Sequence, residues 1–312
     1  MASKRTGNFG SWSSPITADT VAAETVLLGD PRLDSGDVYW TEGRPSEGGR
    51  TVVVVRHSDG SVRDVTLAPF DVRSRVHEYG GGAYQVDSST IYFVNFGDQQ
   101  IYSQTLGGAP VRITSNGTCR YADIQVDRPR KGLIAIREQH PGGSGEAINT
   151  LVAIDLSTGA ELVLDGGFDF YSSPTVSPDG SRLAWLTWRH PNMPWISTYL
   201  TVAQFETGGG LTVRKTVAGG DAESVFQPQW SPKNILYFIS DRTNMWNVYR
   251  WTGADVEPVL PRNAEFGVPQ WQFGLSTYAF ASADTIVYAF SVDGMWRLGR
   301  RLAQCERRSD HS

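Results

Sequence analysis

The chain has 312 residues, of which 40% are hydrophobic and 11% aromatic, and it contains 33 Gly and 16 Pro. Long stretches dominated by Val, Ile, Thr and aromatic residues, separated by Gly-rich turns, predict an all-β protein with one large repeat domain. A net charge of -5 with 20% charged residues gives no basic surface for a phosphate backbone, so nucleic-acid binding is not expected.

No window approaches the ~20 apolar residues of a membrane span, and the start of the chain lacks the apolar core of a secretion signal. We therefore expect no membrane contact and a cytoplasmic location. The two cysteines, Cys119 and Cys305, are far apart and have no His or second Cys at metal-ligand spacing. The sequence thus predicts free thiols, no metal site and no cofactor.

The first 30 residues differ in pattern from the rest of the chain. Pro15 stands where a helix would begin, and apolar residues follow it on a helical pattern up to Val26. We predict a short helix within an N-terminal extension, residues 1–30.

From residue 31 onward, a strand with an aromatic or small residue near its centre recurs roughly every 50 residues, a period typical of four-stranded β-propeller blades. The strand centres are Tyr39, Tyr92, Ala135, Trp185, Tyr237 and Tyr288. Six units are predicted, over residues 31–68, 76–115, 119–166, 171–217, 226–261 and 266–302. Unit one shows three clear strand runs and the others show four, with residues 270–274 as the first strand of unit six. The predicted fold class is therefore all-β, a β-propeller of about six recognisable four-stranded blades.

Residues 303–312 are polar and charged without a strand pattern, and we predict a disordered tail there. The repeat thus stops before a ring would comfortably close, so we expect an incomplete or open propeller. Open sheet edges at such a gap would favour self-association.

Four stretches carry a more specific resemblance. They read GSWSSPITA at residues 10–18, VHEYGGGAY at 76–84, HPNMPW at 190–195 and ESVFQPQWSP at 223–232. Through them, residues 9–302 resemble the N-terminal propeller of prolyl oligopeptidase-family serine peptidases, in particular the acylaminoacyl-peptidase-like and dipeptidyl-aminopeptidase-like branch. One departure is that Arg189 and Ile196 stand where this family usually has aspartates.

The resemblance implies that intact relatives also have a C-terminal α/β-hydrolase domain, whose Ser, Asp and His triad cleaves peptides. This chain shows no G-x-S-x-G elbow, because the closest string, at residues 142–146, ends in Glu146 and makes Ser144 a loop serine. We therefore expect no catalytic residue here, and a chain that is not an enzyme by itself.

The resemblance also implies that the propeller filters peptide substrates and docks on the hydrolase domain, so these are the expected partners. Candidate substrate-gating or interface residues are His77, Glu78, Tyr79, His190, Trp195, Glu223, Asp241 and Arg242. Structural alternatives stand beside these roles: a loop-holding hydrogen bond for His77, an Asx turn for Asp241 and a blade cap for Trp195. The Gly80-Gly81-Gly82 run predicts a tight turn, since it lacks the Lys-Ser/Thr that follows in a phosphate-binding loop.

The function expected from the resemblance is that of a non-catalytic, substrate-gating propeller domain. The alternative is a stand-alone propeller that binds a partner on one face, as other repeat scaffolds do. A propeller lactonase or glycosidase would need carboxylates that converge on the channel, and the sequence alone assembles none.

Overall fold

The computed structural model describes residues 6–11, 16–17, 20, 25–142 and 145–302. Within these residues 23 β-strands form six antiparallel sheets, which follow one another in chain order as the blades of a β-propeller. Two single-turn 3-10 helices, Pro45–Glu47 and Arg128–Arg130, lie between strands. The prediction of an all-β, six-bladed propeller is confirmed.

The first three blades have four strands each. They are β1 (Leu27–Asp34), β2 (Asp37–Arg44), β3 (Arg50–Arg56) and β4 (Val62–Asp64) in blade one; β5 (Tyr84–Asp87), β6 (Thr90–Val94), β7 (Ile101–Thr105) and β8 (Val111–Arg112) in blade two; and β9 (Cys119–Asp127), β10 (Gly132–Gln139), β11 (Ile148–Asp155) and β12 (Glu161–Gly166) in blade three.

Blades four and five repeat this plan, and blade six has three strands among the described residues. They are β13 (Phe170–Val176), β14 (Arg182–Trp188), β15 (Thr198–Phe205) and β16 (Leu211–Gly220); β17 (Val225–Trp230), β18 (Leu236–Ser240), β19 (Asn247–Trp251) and β20 (Val256–Pro258); and β21 (Tyr278–Ser282), β22 (Thr285–Val292) and β23 (Met295–Leu302).

In blade six, the predicted strand over residues 270–274 is a loop. The hydroxyl of Tyr278 in β21 donates to the Gln227 carbonyl in β17, as the hydroxyl of Tyr84 in β5 donates to the Asp30 carbonyl in β1. Since β1, β5 and β17 are first strands, β21–β23 correspond to the first three strands of a blade.

The residues that predicted the repeat all lie in the second strand of a blade, and β14 shows why. Its residues 183–188 are buried. Leu183 and Trp185 pack toward blade three, whereas Ala184 and Leu186 pack toward blade five. A second strand has neighbours on both sides and blades on both faces, so nearly every position must be apolar.

Among the described residues, five apolar clusters join neighbouring blades, one for each interface from blades one and two to blades five and six. Between blades five and six, for example, Ile239 packs with Ile286 and Tyr288. No such cluster joins blade six to blade one in the described part of the chain. Instead, Leu298 in β23 is 82% exposed and Leu33 in β1 is 78% exposed. Whether the ring is incomplete or open, as expected from the sequence, stays a prediction.

The N-terminal part differs from the sequence prediction at one point. Strand β1 begins at Leu27, within the predicted extension, and it completes a blade for which the sequence showed only three strand runs. The helix predicted over residues 15–26 lies for the most part outside the described residues. Ser144 and the predicted tail, residues 303–312, lie outside them entirely.

Antiparallel blades place their connections at two opposite ends of the propeller. First and second strands, and third and fourth strands, are joined by short hairpins at one end, such as residues 35–36 and 88–89. Turns between second and third strands, and the connections from blade to blade, emerge at the other end, which we call the loop-bearing end. Two of these blade-to-blade connections are long, residues 65–83 and 259–277.

Candidate functional site

All eight candidate residues lie at the loop-bearing end. Each belongs either to a blade-to-blade connection (His77, Glu78, Tyr79 and Glu223) or to a turn between second and third strands (His190, Trp195, Asp241 and Arg242). The topology thus gathers residues that are far apart in sequence at one end, where they form separate groups.

The two long connections meet over the propeller axis. Phe273 pairs with Gly81 in an isolated parallel β-bridge. Both connections also reach the far side of the ring, because Val76 and Phe273 pack in the apolar cluster between blades three and four. We call the two crossing segments, residues 76–82 and 270–275, the axial cap.

The glycine run of the axial cap leaves space for this crossing. Gly82 has a φ of +52°, and a Cβ at this position would lie 2.9 Å from Phe273 Cβ and 3.1 Å from Asp123 Cα. The run is therefore a turn, as predicted, and also a point of close backbone approach between distant parts of the chain.

His77 lies inside the axial cap. Its ring packs against Phe170, Trp188 and Phe273, with centroid distances of 5.1, 5.6 and 4.8 Å. Burial lowers the pKa of His77 to about 4, an effect that Asn149 only partly offsets, so the imidazole is neutral at neutral pH. Its Nε2 has no hydrogen-bond partner among the described residues. These contacts are those of a residue that holds the cap together.

Glu138, which is not among the residues predicted from the sequence, binds the backbone of the axial cap. It is 4% exposed, accepts the His77 backbone N–H at 2.8 Å and lies 2.6 Å from His140 Nε2. Arg120 contacts Glu138 at 3.3 Å and Glu78 at 2.8 Å. The hydrogen bond from Arg120 holds the pKa of Glu78 below its usual range. The sequence signal for Glu138 was an acidic residue in the polar end of a strand whose first five residues, 132–136, are apolar.

The candidates of blade five form a self-contained cluster. Arg242 Nε donates to Glu223 Oε1 at 3.0 Å, and the Ser240 hydroxyl donates to the same oxygen at 2.5 Å. Asp241 accepts the Ser224 backbone N–H at 2.7 Å, and burial raises the pKa of Asp241. Each of these three candidate charges has a protein partner within the cluster that the two neighbouring loops form.

A partly exposed aromatic group joins the axial cap, through Tyr79 and Trp271, to Trp195 in the turn after β14. The Trp195 ring is 4.4 Å from the Trp271 ring, and Trp271 is 5.3 Å from Tyr79. Tyr79 is 58% exposed and Trp271 is 48% exposed. His190 is exposed and donates its backbone N–H to Asp169 at 2.9 Å. We call Tyr79, Trp195 and Trp271 the aromatic group.

The two departures from the family pattern also lie at this end. Arg189 places its guanidinium 4.2 Å from the centre of the Phe168 ring, and Ile196 is 49% exposed. Within the described ranges, no three His, Cys, Asp or Glu side chains are grouped as metal ligands. No helix in that part of the chain has the length and apolar character needed to cross a membrane.

The fold and its loops define a class of protein, a β-propeller with an elaborated surface at one end. No protein-family model and no curated protein matches the chain. Over 95% of its length it is 34% identical to a Mycobacterium tuberculosis puromycin-hydrolyzing peptidase, with a TM-score of 0.85, and 31% identical to a puromycin hydrolase, with a TM-score of 0.86.

The chain spans 48% of each of these two relatives, about half their length. It also matches prolyl oligopeptidase B from Galerina marginata over 90% of its own length and 43% of that protein, with a TM-score of 0.64. The identity there is 13%, which shows a shared fold alone. The chain is homologous to the propeller of prolyl oligopeptidase-family peptidases, as its motifs predicted.

Proposed function

We propose that this chain acts as the non-catalytic propeller of a prolyl oligopeptidase-family peptidase and limits which peptides reach an α/β-hydrolase domain docked at its loop-bearing end. The observation that carries this proposal is 34% identity, over 95% of the chain, with one half of a puromycin-hydrolyzing peptidase. The described residues form propeller blades and their connections, and the sequence has no G-x-S-x-G elbow. Peptide hydrolysis would therefore come from the other half.

The aromatic group is the surface that we assign to domain docking. Large aromatic side chains are enriched at protein interfaces, and a cluster of half-exposed aromatic side chains on a protein surface marks a contact site. Tyr79 and Trp271 belong to the axial cap and Trp195 contacts Trp271, so a domain seated on these three residues would cover the axis of the propeller.

The first test asks whether the chain has activity of its own. The purified protein is incubated with a fluorophosphonate serine probe, and separately with puromycin and aminoacyl p-nitroanilides. We expect neither labelling nor turnover. Labelling of this chain by the probe would contradict the non-catalytic role.

The second test asks whether the chain works as a peptidase propeller. It replaces the matching half of the M. tuberculosis peptidase in a chimaera, and turnover is compared for puromycin and for a folded protein of about 10 kDa. We expect hydrolysis of puromycin only. A chimaera that is folded by circular dichroism but cleaves both substrates would overturn the gating role.

Two exposed apolar residues provide paired variants for docking. Trp271 and Leu162 are 48% and 46% exposed, but only Trp271 lies at the loop-bearing end, while Leu162 in β12 follows a hairpin at the opposite end. Truncation of a central interface tryptophan costs about 2 kcal/mol or more. We expect Trp271→Ala to lower puromycin turnover by the chimaera more than tenfold and Leu162→Ala to leave it unchanged; equal effects would refute the assigned surface.

A further inference from the structure

A basic cleft opens at the loop-bearing end between blades two and three, with a volume of about 440 Å³. Its charged lining consists of Arg75, Arg112, Arg120, His140 and Asp98. Three guanidinium groups thus face one lining carboxylate, although the chain as a whole carries a net charge of -5. Such a local reversal of sign attracts anions.

The carboxylates around the cleft neutralise this charge only in part. Asp98 accepts a hydrogen bond from the Tyr102 hydroxyl at 2.7 Å and lies 3.8 Å from Arg112. Glu138 and Glu78 both contact Arg120. Glu138 is buried in the network below the axial cap, whereas the Glu78 side chain is 71% exposed to water, which screens its charge.

Arg75 carries the least compensated charge, since it attracts only the exposed Glu78 carboxylate, from beyond ion-pair distance. This residue is exposed, and no carboxylate of the described residues lies within ion-pair distance of its guanidinium. The guanidinium lies 5.7 Å from the centre of the Phe96 ring, which is also covered by Arg73 at 3.9 Å. A guanidinium held against an aromatic ring is partly pre-organised, so less freedom is lost when it binds an anion.

We propose that this cleft binds the C-terminal carboxylate of a peptide, with Arg75 and Arg112 as direct ligands and Arg120 held in place by Glu138. Planar guanidinium forks match the two oxygens of a carboxylate. This inference rests on the proposed gating function and adds to it the end of the peptide that the propeller holds.

The test compares two peptides that differ only at the C-terminus. A pentapeptide with an N-terminal fluorescein label and a C-terminal phenylalanine is made as the free acid and as the amide. Binding to the full chain is measured by fluorescence anisotropy at 0.15 M salt. We expect the acid to bind at least tenfold more tightly than the amide, with affinity falling as salt rises.

Variants of exposed arginines locate the site. Arg75→Ala and Arg112→Ala are each expected to remove most of the preference for the acid, while Arg297→Ala, an exposed arginine on β23, leaves it unchanged. Circular dichroism confirms that each variant is folded. Equal binding of acid and amide, no binding of either, or a preference that survives both cleft variants would overturn the proposal.

Inorganic phosphate serves as the competing anion. Displacement of the acid peptide by millimolar phosphate, but not by chloride, supports an anion site in the cleft. If phosphate binds there while the acid and the amide bind equally, the cleft is a phosphate site and the peptide assignment is refuted. The assay uses this chain alone, so its failure would leave the chimaera test of gating unaffected.

Discussion

Replacing Gly81 with alanine should separate the two halves of the axial cap. Gly81 has a φ of +90°, and an added Cβ would lie 2.8 Å from Phe273 N and closer still to Phe273 O. Both are backbone atoms, so no side-chain rotation relieves the clash. The segment 270–275 must therefore move away from the segment 76–82.

The expected cost is the sum of three effects. A non-glycine residue at this φ costs about 1–2 kcal/mol. Displacement of Phe273 weakens its 3.0 Å hydrogen bond from N–H to the Gly80 carbonyl, worth about 1 kcal/mol, and its ring contact with His77, worth about 1 kcal/mol. Gly81→Ala should thus lower the free energy of unfolding by about 3–4 kcal/mol.

Gly36→Ala is the matched control. Gly36 has a φ of +91°, but no atom lies within 4 Å of an added Cβ, so only the backbone strain of about 1–2 kcal/mol applies. Urea unfolding followed by tryptophan fluorescence compares the two variants, and hydrogen exchange reports the Phe273 amide directly. Equal destabilisation by the two variants, with unchanged exchange at Phe273, would refute the close approach.

Glu138→Ala should lower the free energy of unfolding by about 3 kcal/mol, because it removes the buried carboxylate that contacts Arg120 and His140 and leaves the His77 backbone N–H without its acceptor. Glu78→Ala removes only the exposed partner of Arg120 and should cost below about 1 kcal/mol by the same urea measurement. Burial raises the pKa of Asp123 from 3.8 to about 6, so the wild type loses stability at this residue as pH rises from 4 to 6. The free energy of unfolding of Asp123→Asn should therefore rise by about 2 kcal/mol relative to that of the wild type between pH 4 and pH 7. Thermal melts of both proteins over this pH range measure the difference, and a difference that does not change with pH would contradict the prediction. We also propose that the exposed apolar face of β23 drives self-association with a second copy of the chain. Leu298→Glu should then lower the sedimentation coefficient at high protein concentration. A wild-type protein that is monomeric at every concentration would exclude this self-association.

The sequence predicted the blades where packing restricts residue choice most. Second strands such as β14 are covered on both faces, so their apolar centres recur visibly. Strand β1 was missed because LLGDPRLD contains Gly, Pro and two Asp, residues that disfavour strands, and because much of it is exposed. Its place is set by pairing with β2, which is a tertiary contact.

The candidate site was predicted only in part, because several of its residues are also placed by tertiary contacts. Trp230 and Trp271 both follow Pro-Gln, a similarity that favours the strand predicted over residues 270–274. In the fold, Trp230 is buried in β17 and donates to the Thr175 carbonyl, whereas Trp271 is half exposed in a loop. Glu138 acts on His77, 61 residues earlier in the chain. Local sequence patterns do not encode such partners, which only the assembled ring brings together.

Repeat proteins whose units touch only their neighbours can lose order one unit at a time. The axial cap changes this expectation, because the connection after blade one and the connection before blade six both insert side chains, Val76 and Phe273, between blades three and four. Unfolding of any of these blades removes packing contacts from the others. The propeller should therefore unfold in a single cooperative transition on heating, because the two meeting loops couple blades that would otherwise unfold independently.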